Sequence, residues 1–325
     1  MTKPKINVLL TCIGGFFGLD IADALRMDKE LNVRIIGVDG DPNVMNRHFL
    51  DAFYQIPLAT ENPDGFFSEL MEICVKESVD ILLPGADEEV WALSKVKEQF
   101  SDIGVKCAVQ DSGTVDIIRD KIRFFKMASQ VGISVPRFSA VSNAQEFVDA
   151  AENLGYPDRR VVLKPRTGRG ARGVIIVDAD ATDHTVINEA RGFQLGSLDQ
   201  IAMDLNKSKQ PLKLMAMEFL PGAIYDVDCL ANKGSSICIV PRKRLWNTPF
   251  SRGVEGHQIV RNEEMEQVTA TIAKTLSLSY VFDCDFGTSE DGQPGLLEMN
   301  PRWSGSVTSA LAGGINLPSL LIRSM

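Results

Sequence analysis

Histidine is scarce in this sequence and its cysteines are not paired, and both absences exclude common kinds of site. The three histidines, His48, His184 and His257, lie far apart, so no two of them share one face of a helix as a histidine metal site requires. The six cysteines lack the short paired spacing of zinc or dithiol sites. We therefore expect reduced, buried cysteines and no metal site built from histidine or cysteine.

The sequence also lacks a long apolar run and an excess of positive charge. No segment has the length of a membrane span, and no apolar leader follows the charged start, which predicts a cytoplasmic protein with no membrane partner. The formal net charge of −9 disfavours a nucleic-acid partner, because phosphate backbones bind clustered Lys and Arg. A small anionic ligand in a local basic pocket remains compatible with that charge.

Two sheet types are predicted along the chain. Short β-branched runs alternate with helical patterns in the first third, which predicts a parallel sheet because parallel strands need crossover helices. Later runs pair through short turns, as in an antiparallel sheet. We place a first domain at residues 1–113 and a second at 114–325. The second divides into an amino-terminal lobe, 114–213, and a carboxy-terminal lobe, 214–325.

A loop rich in glycine and arginine, residues 165–173, follows a predicted strand that ends in Lys164. Glycines let backbone N–H groups approach phosphate oxygens, and the cations offset phosphate charge. The loop matches neither the Gly-x-x-x-x-Gly-Lys-Ser/Thr signature nor a glycine fingerprint before a helix. By itself it is equally typical of a solvated hairpin.

Oxygen-bearing side chains alternate along two strands near the end of the chain. Period-2 alternation puts Asp283 and Asp285 on one face of a strand, and Glu298 and Asn300 on one face of the next. Such hard oxygen ligands are those that Mg²⁺ selects when phosphates complete its coordination. The alternative is an exposed acidic face, which the apolar neighbours of these residues disfavour.

Two further motifs remain open at this stage. Arg242 and Arg244 share one strand face, where guanidinium groups would bind a carboxylate and an acyl phosphate, although basic runs are commonly solvated loops. The turn that contains Gly14, Gly15 and Gly18 invites a dinucleotide interpretation. Its first two glycines are adjacent, however, which favours a packing turn.

In their order along the chain, these motifs resemble the ATP-grasp superfamily over residues 120–321. The resemblance assigns nucleotide contacts to two lysines, to a phosphate flap at residues 167–173 and to an adenine-binding hinge at residues 218–220. These nucleotide-binding residues are Lys121, Lys164, Thr167, Gly168, Arg169, Gly170, Gly173, Glu218, Phe219 and Leu220. It further implies that Asp285, Glu298 and Asn300 bind Mg²⁺ or Mn²⁺ and that Arg302 faces the phosphates.

The first domain resembles the pre-ATP-grasp domain, and the nearest likeness is to the large subunit of carbamoyl phosphate synthase. The implied fold class is α/β, with a Rossmann-like pre-ATP-grasp parallel sheet followed by a two-lobed ATP-grasp α+β domain. One departure concerns the ribose: family members usually carry a glutamate after the hinge, whereas Ala223, Ile224 and Tyr225 occupy that region here. Asp226 or Asp228 is the candidate replacement.

The function implied by the resemblance is ATP-dependent ligation. Mg-ATP would activate a small-molecule carboxylate as an acyl phosphate, which an amine captures with release of ADP and phosphate. Arg302, Arg242 and Arg244 are the candidate catalytic arginines, and no general base is clear, with His257 a weak candidate. Alternatives are phosphorylation of bicarbonate or carbamate, or a non-catalytic ATP-binding regulatory subunit. A homo-oligomer is left open.

Overall fold

The computed structural model describes residues 3–15, 17–168, 172–181, 185–186, 193–245 and 256–325, without the side chains of 185, 186 and 193. Three residues of the predicted flap, Arg169, Gly170 and Ala171, lie outside this part of the chain. Three β-sheets form the described fold. Within the described residues, no helix has both the length and the apolar character needed to cross a membrane.

The first sheet is parallel throughout, as predicted. Its strands are β1 (Ile6–Leu10), β2 (Val33–Asp39), β3 (Ala52–Gln55), β4 (Ile81–Leu83) and β5 (Lys106–Cys107), in the order β3-β2-β1-β4-β5. Its helices are α1 (Gly18–Met27), α2 (Pro63–Lys76), α3 (Asp87–Ser94) and α4 (Lys97–Asp102), with a 3-10 helix at Met45–Phe49. The connection from β1 and the start of α3 meet at the carboxyl edge of the sheet, where ligands bind in open α/β folds.

The apolar pattern of residues 115–131 predicts one helix, but the structure has two helices separated by Asp120. These are α5 (Ser112–Arg119) and α6 (Lys121–Gln130). Asp120 has an extended backbone, and its side chain accepts hydrogen bonds from the N–H groups of Ile122 and Arg123, which caps α6. The cap places Lys121 at the first helical position, where it points into the cleft between the lobes.

The second sheet carries the loop between Lys164 and Val174. Its strands are β6 (Phe138–Val141), β7 (Val161–Pro165), β8 (Val174–Val177), β9 (Thr185–Val186), β10 (Phe193–Gly196) and β11 (Leu214–Glu218), in the order β6-β11-β7-β8-β10-β9. Two helices, α7 (Ala144–Leu154) and α8 (Leu198–Leu205), accompany it. Strands β7 and β8 pair antiparallel, so the loop between them projects from the end of a hairpin.

The third sheet is antiparallel, as predicted for the carboxy-terminal lobe. Its strands are β12 (Ile224–Asn232), β13 (Ser235–Arg244), β14 (His257–Ile259), β15 (Tyr280–Thr288) and β16 (Pro294–Asn300), in the order β14-β13-β12-β15-β16. Helix α9 (Glu263–Thr275) precedes β15, and a 3-10 helix (Val307–Gly313) and α10 (Leu317–Ser324) follow β16.

One hydrophobic core is shared by the first domain and the carboxy-terminal lobe. It joins Val8 and Leu10 of β1 to Leu230 of β12, Val240 of β13 and Trp303 after β16, all at most 3% exposed. A second core joins α5, α6 and β11 to the third sheet. Because these cores fix the third sheet against both neighbouring units, its polar face opens into the cleft between them.

Candidate active site

Carboxylates gather on one face of the third sheet because paired strands align them. Across β15 and β16, Asp285 lies opposite Glu298 and Asp283 lies opposite Asn300. On the other side of β15, Asp226 of β12 lies opposite Asp285. Ligand oxygens of Asp226, Asp283 and Asp285, here called the carboxylate cluster, all lie within 4.8 Å of one another.

Two carboxylates of the cluster, Asp283 and Asp285, have raised pKa values and oxygens without hydrogen-bond partners within the described residues. Burial, followed by repulsion from Asp228 and Asp226, raises the pKa of Asp283 to about 8. Burial and repulsion from Asp283 also hold the pKa of Asp285 well above its usual range. Oδ1 of Asp283 and Oδ1 of Asp285 are buried and make no hydrogen bond within the described residues. Orphaned carboxylate oxygens at this spacing fit a hard divalent cation such as Mg²⁺.

Two lysines lie close to Glu298. Lys121 Nζ is 3.4 Å from Glu298 Oε2 and donates a hydrogen bond of 3.1 Å to the carbonyl of Gly168. Lys164 Nζ donates to the carbonyl of Leu297 at 3.0 Å. Burial lowers the pKa of Lys164 to about 8, against the opposing effect of Glu298.

The same charges act on the carboxylate. Burial raises the pKa of Glu298, but Lys121, Lys164 and Arg302 together outweigh that effect and lower it. Glu298 is therefore ionised at neutral pH. Its charged carboxylate lies between the two ammonium groups and the carboxylate cluster. This is a suitable position for a ligand of a metal ion that is bound next to phosphates.

A cavity of about 120 Å³ adjoins Lys121. Its lining includes residues predicted to bind the nucleotide or the metal, together with the first turn of α3. These residues are Asp87, Lys121, Thr167, Gly168, Glu298 and Asn300. Because the cavity is smaller than the roughly 300 Å³ of a small-molecule pocket, it matches the phosphate end of a nucleotide and not the whole molecule.

Arg302 links the carboxy-terminal lobe to the first domain. Its Nε lies 3.3 Å from Asp87 Oδ2, its Nη1 lies 3.9 Å from Asp283 Oδ2, and Nη1 also donates to the carbonyl of Trp303 at 2.8 Å. Asp87 belongs to the segment 84–88, which the sequence places after a strand at the ligand-binding edge of the first sheet, but it was not predicted as a site residue. Its partner across the domains was not foreseeable from local pattern.

Arg244 lies beside the carboxylate cluster. Its Nε donates to Asp226 at 3.0 Å and its Nη2 lies 3.6 Å from Asp285, while its side chain keeps 22% of its surface exposed. A guanidinium that is paired but still accessible is suited to a carboxylate ligand.

Arg242 and Asp226 differ from the sequence-level expectation, whereas His257 stays the weak candidate for a general base that the sequence indicates. Arg242 shares the strand face with Arg244, yet its side chain is fully buried and bound within the protein, so it offers nothing to a ligand in the cleft. His257 Nε2 lies 2.7 Å from Asp226 and the imidazole is 2% exposed, which leaves a weak position for a general base. Asp226 binds Arg244 and His257 within the carboxylate cluster, an environment unlike that of a ribose ligand.

The hinge, residues 218–220, connects the second and third sheets. Glu218 lies 3.6 Å from both Arg137 and Arg159, so its carboxylate is turned toward the second sheet. Leu220 packs against β15 and β16 so closely that a Cβ at Gly295 would lie 2.8 Å from its Cδ1. The hinge backbone thus crosses between the two sheets at the position where the resemblance expects adenine.

Sequence comparisons match two parts of the chain to known families. Residues 210–325 match the family described as ATP-grasp in the biosynthetic pathway with Ter operon, and residues 19–108 match the family described as PylC-like, N-terminal domain. The carbamoyl phosphate synthase large chain of Thermotoga petrophila is 23% identical over 321 residues, which cover 90% of this chain and 26% of that protein. The arginine-specific large chain of Bacillus subtilis is 21% identical, covering 86% and 25%. The chain spans about a quarter of the length of these relatives.

Structural comparisons find the same fold in several solved enzymes. N5-carboxyaminoimidazole synthetase of Staphylococcus aureus, complexed with ADP, has a TM-score of 0.65 at 13% identity, covering 96% of this chain and 74% of that chain. Biotin carboxylase of Campylobacter jejuni has a TM-score of 0.69 at 16% identity, covering 98% and 70%. L-amino acid ligase of Bacillus licheniformis has a TM-score of 0.65 at 17% identity, covering 100% and 74%. The predicted fold class and the resemblance to the carbamoyl phosphate synthase large chain are confirmed.

Proposed function

We propose that this chain, which has the ATP-grasp fold, is an ATP-dependent ligase that activates a carboxylate as an acyl phosphate and joins it to an amine. One observation carries the proposal: the charged carboxylate of Glu298 lies between two lysines on one side and the carboxylate cluster on the other. The two lysines can therefore bind phosphate oxygens. The adjoining carboxylates can bind a divalent cation.

Each residue has a role in that proposal. Lys121, Lys164 and the described flap residues Thr167, Gly168 and Gly173 hold the phosphates, and the hinge backbone holds adenine. Asp285, Glu298 and Asn300 would hold Mg²⁺ or Mn²⁺, which lowers the charge of the phosphates and favours attack at phosphorus. Arg302 binds the transferring phosphoryl group, and its contact strengthens as negative charge accumulates there.

The two chemical steps need no protein nucleophile. A carboxylate oxygen attacks the γ-phosphorus, the bond to the β,γ-bridging oxygen breaks, and ADP leaves. The amine nitrogen then attacks the carbonyl carbon, the bond to the phosphate oxygen breaks, and phosphate leaves while the nitrogen loses a proton. Arg244 is the residue for the incoming carboxylate, because its guanidinium is accessible and lies 3.6 Å from Asp285.

A second candidate function is phosphorylation of bicarbonate or carbamate. The similarity to carbamoyl phosphate synthase large chains over 90% of this chain favours it. The chemistry at the γ-phosphate is the same, so the two candidates differ only in the acceptor that Arg244 binds. A regulatory subunit without turnover is disfavoured, because it would not need a buried carboxylate cluster with orphaned oxygens.

The test is a screen of carboxylate and amine pairs, with bicarbonate included, for release of ADP and phosphate. Turnover should depend on a divalent cation and should be lost in Glu298→Gln, which keeps the side-chain volume but removes the charge. Lys233→Gln, on the turn after β12, is the matched control and should retain full activity. Formation of AMP and pyrophosphate as stoichiometric products would contradict attack at the γ-phosphate.

A further inference from the structure

Among the described residues, Arg242 of β13 has the largest side chain that is completely buried. Its Nη2 lies 2.7 Å from Asp228 Oδ2, and both side chains are 0% exposed. Nη2 also donates to Ser304 Oγ at 2.9 Å, and Nη1 donates to the carbonyl and Oγ of Ser306 at 3.1 and 2.7 Å, in the chain that follows β16. Nε makes no hydrogen bond within the described residues. The proposed reaction leaves this buried cation without a chemical role.

The chain that Arg242 holds is the arginine-bearing segment, residues 301–306. It leads directly from Asn300 on β16, carries Arg302, and ends at the 3-10 helix that begins at Val307. Arg302 Nη1 donates to the carbonyl of Trp303, and the Trp303 ring is 3% exposed in the core shared with the first domain. The segment is thus held by its apolar residue on one side and by Arg242 on the other.

We propose that Arg242 is a positioning residue: its buried guanidinium fixes the arginine-bearing segment, and through it sets the position of Arg302 on the transferring phosphoryl group. The inference rests on the proposed function for the role of Arg302. It assigns Arg242 no contact with substrate.

The geometry requires arginine at this position. The planar fork reaches Asp228, Ser304 and Ser306 together, whereas a lysine ammonium is a single point that cannot span them. A buried ion pair is weak evidence for stability, since apolar residues of similar volume often replace such pairs without loss. The hydrogen bonds from Arg242 to Ser304 and Ser306 instead define the conformation of the arginine-bearing segment. Apolar packing alone would leave that segment free to shift.

The experiment compares Arg242→Lys and Ser306→Ala with Lys243→Gln, a neighbour on the opposite strand face that serves as control. Hydrogen exchange of the backbone amides of residues 303–307 is measured first, since it needs no nucleotide. We expect exchange there to rise at least about tenfold in Arg242→Lys and to stay unchanged in Lys243→Gln, with the rest of the third sheet protected in both. Thermal melting verifies that each variant is folded.

The second measurement is the affinity for ADP with aluminium fluoride, a mimic of the transferring phosphoryl group, relative to ADP alone. Arg302→Ala should lower this ratio, and Arg242→Lys and Ser306→Ala should lower it by about tenfold while ADP affinity changes little. In an Arg302→Ala background, Arg242→Lys should cause no further loss, because it acts through Arg302.

Unchanged exchange in folded Arg242→Lys, or a ratio that falls equally in both backgrounds, would overturn the inference. If the wild type binds no nucleotide while exchange rises as expected, the proposed function fails and the fixing of the segment by Arg242 stands. Ser306→Ala keeps the test decisive should Arg242→Lys not fold, since it removes one contact without burying an unpaired charge.

Discussion

Arg302 Nε lies 3.3 Å from Asp87 Oδ2, so an ion pair joins the end of β16 to the first residue of α3. Both side chains are largely buried, with 14% and 25% of their surfaces exposed. The loop before α3 is fixed in turn, because a Cβ at Gly85 would lie 2.5 Å from the carbonyl of Thr11. The position of Arg302 therefore depends on the first domain as much as on its own lobe.

The first prediction concerns Asp87→Asn. Removing the charge while keeping the shape should loosen Arg302, and we expect turnover to fall by roughly 10- to 100-fold with little change in ADP affinity, since displacement of a group near the reacting atoms is costly. Turnover is measured as the steady-state rate with the carboxylate and amine found in the screen, and ADP affinity is measured by calorimetry. Asp102→Asn, an exposed carboxylate on α4, is the control. An equal loss of rate and of ADP affinity would contradict a role confined to Arg302.

The second prediction follows from Lys164, whose pKa burial lowers to about 8. Below that pH the ammonium is charged and pairs with phosphate; above it the free protein must first protonate the amine. ADP affinity should therefore fall as the pH rises from 7 to 9, and binding near pH 8 should take up protons. Calorimetry in buffers of different ionisation enthalpy measures that uptake.

Lys164→Met is the matched variant for this measurement. It should bind ADP more weakly at every pH and lose the proton uptake. Uptake that persists at full size in Lys164→Met would assign it to another group.

The third prediction concerns the stability of the metal-free protein. Burial raises the pKa of Asp283 from its ordinary value of 3.8 to about 8, so between these values the folded state binds more protons than the unfolded state. Stability then falls as the pH rises through that window. Melting temperatures of the metal-free protein should be higher at pH 5 than at pH 8. In Asp283→Asn the difference should shrink, and melting at pH 8 should occur at a higher temperature.

The same melting temperatures are measured again with Mg²⁺ added. A cation bound by Asp285, Glu298 and Asn300, next to Asp283, should raise the melting temperature of the wild type most at pH 8, where the carboxylates are ionised. A pH dependence identical in wild type and Asp283→Asn would remove Asp283 as its cause.

The fourth prediction tests the turn after the hinge. A Cβ at Gly222 would lie 2.2 Å from Thr288 Oγ1 and 2.7 Å from the Thr288 carbonyl, so Gly222→Ala must displace the backbone between the second and third sheets. We expect a loss of about 1 to 3 kcal/mol of stability and weaker ADP binding. Gly113→Ala, in α5 with no atom within 4 Å of the added Cβ, should stabilise by about 0.5–1 kcal/mol. Equal denaturation midpoints for the two variants would contradict this reading of the turn.

Strand positions were predictable wherever alternation or an apolar run was strong. The β-branched run at residues 33–39 predicts a strand with the bounds that β2 has, Val33–Asp39. The pairing that brings Asp285 opposite Glu298 follows from period-2 alternation around one turn. Strand β3, Ala52–Gln55, was missed because it is a short edge strand with partly exposed side chains and no buried face to mark it.

Two failures at the site have a common physical cause. Helix propensity runs through Asp120 without interruption, and only its capping bonds and its ion pair with Arg166 explain the break that places Lys121. Period-2 alternation correctly places Arg242 and Arg244 on one face of the strand, but it does not predict how deeply each side chain is buried. Burial of Arg242 comes from Ser304 and Ser306, which are 62 and 64 residues away in sequence. Local pattern carries no information about such distant partners.

The core shared by β1, β12, β13 and Trp303 has a consequence for how this chain can be divided. Neither the beginning nor the end of the sequence has a complete apolar interior alone, since Val8 and Leu10 of one pack with Leu230 and Val240 of the other. The apolar core therefore crosses the boundary that the sequence predicts near residue 113. A cut at that point would leave two fragments that remain associated, and either fragment expressed by itself would present an apolar face to water and aggregate.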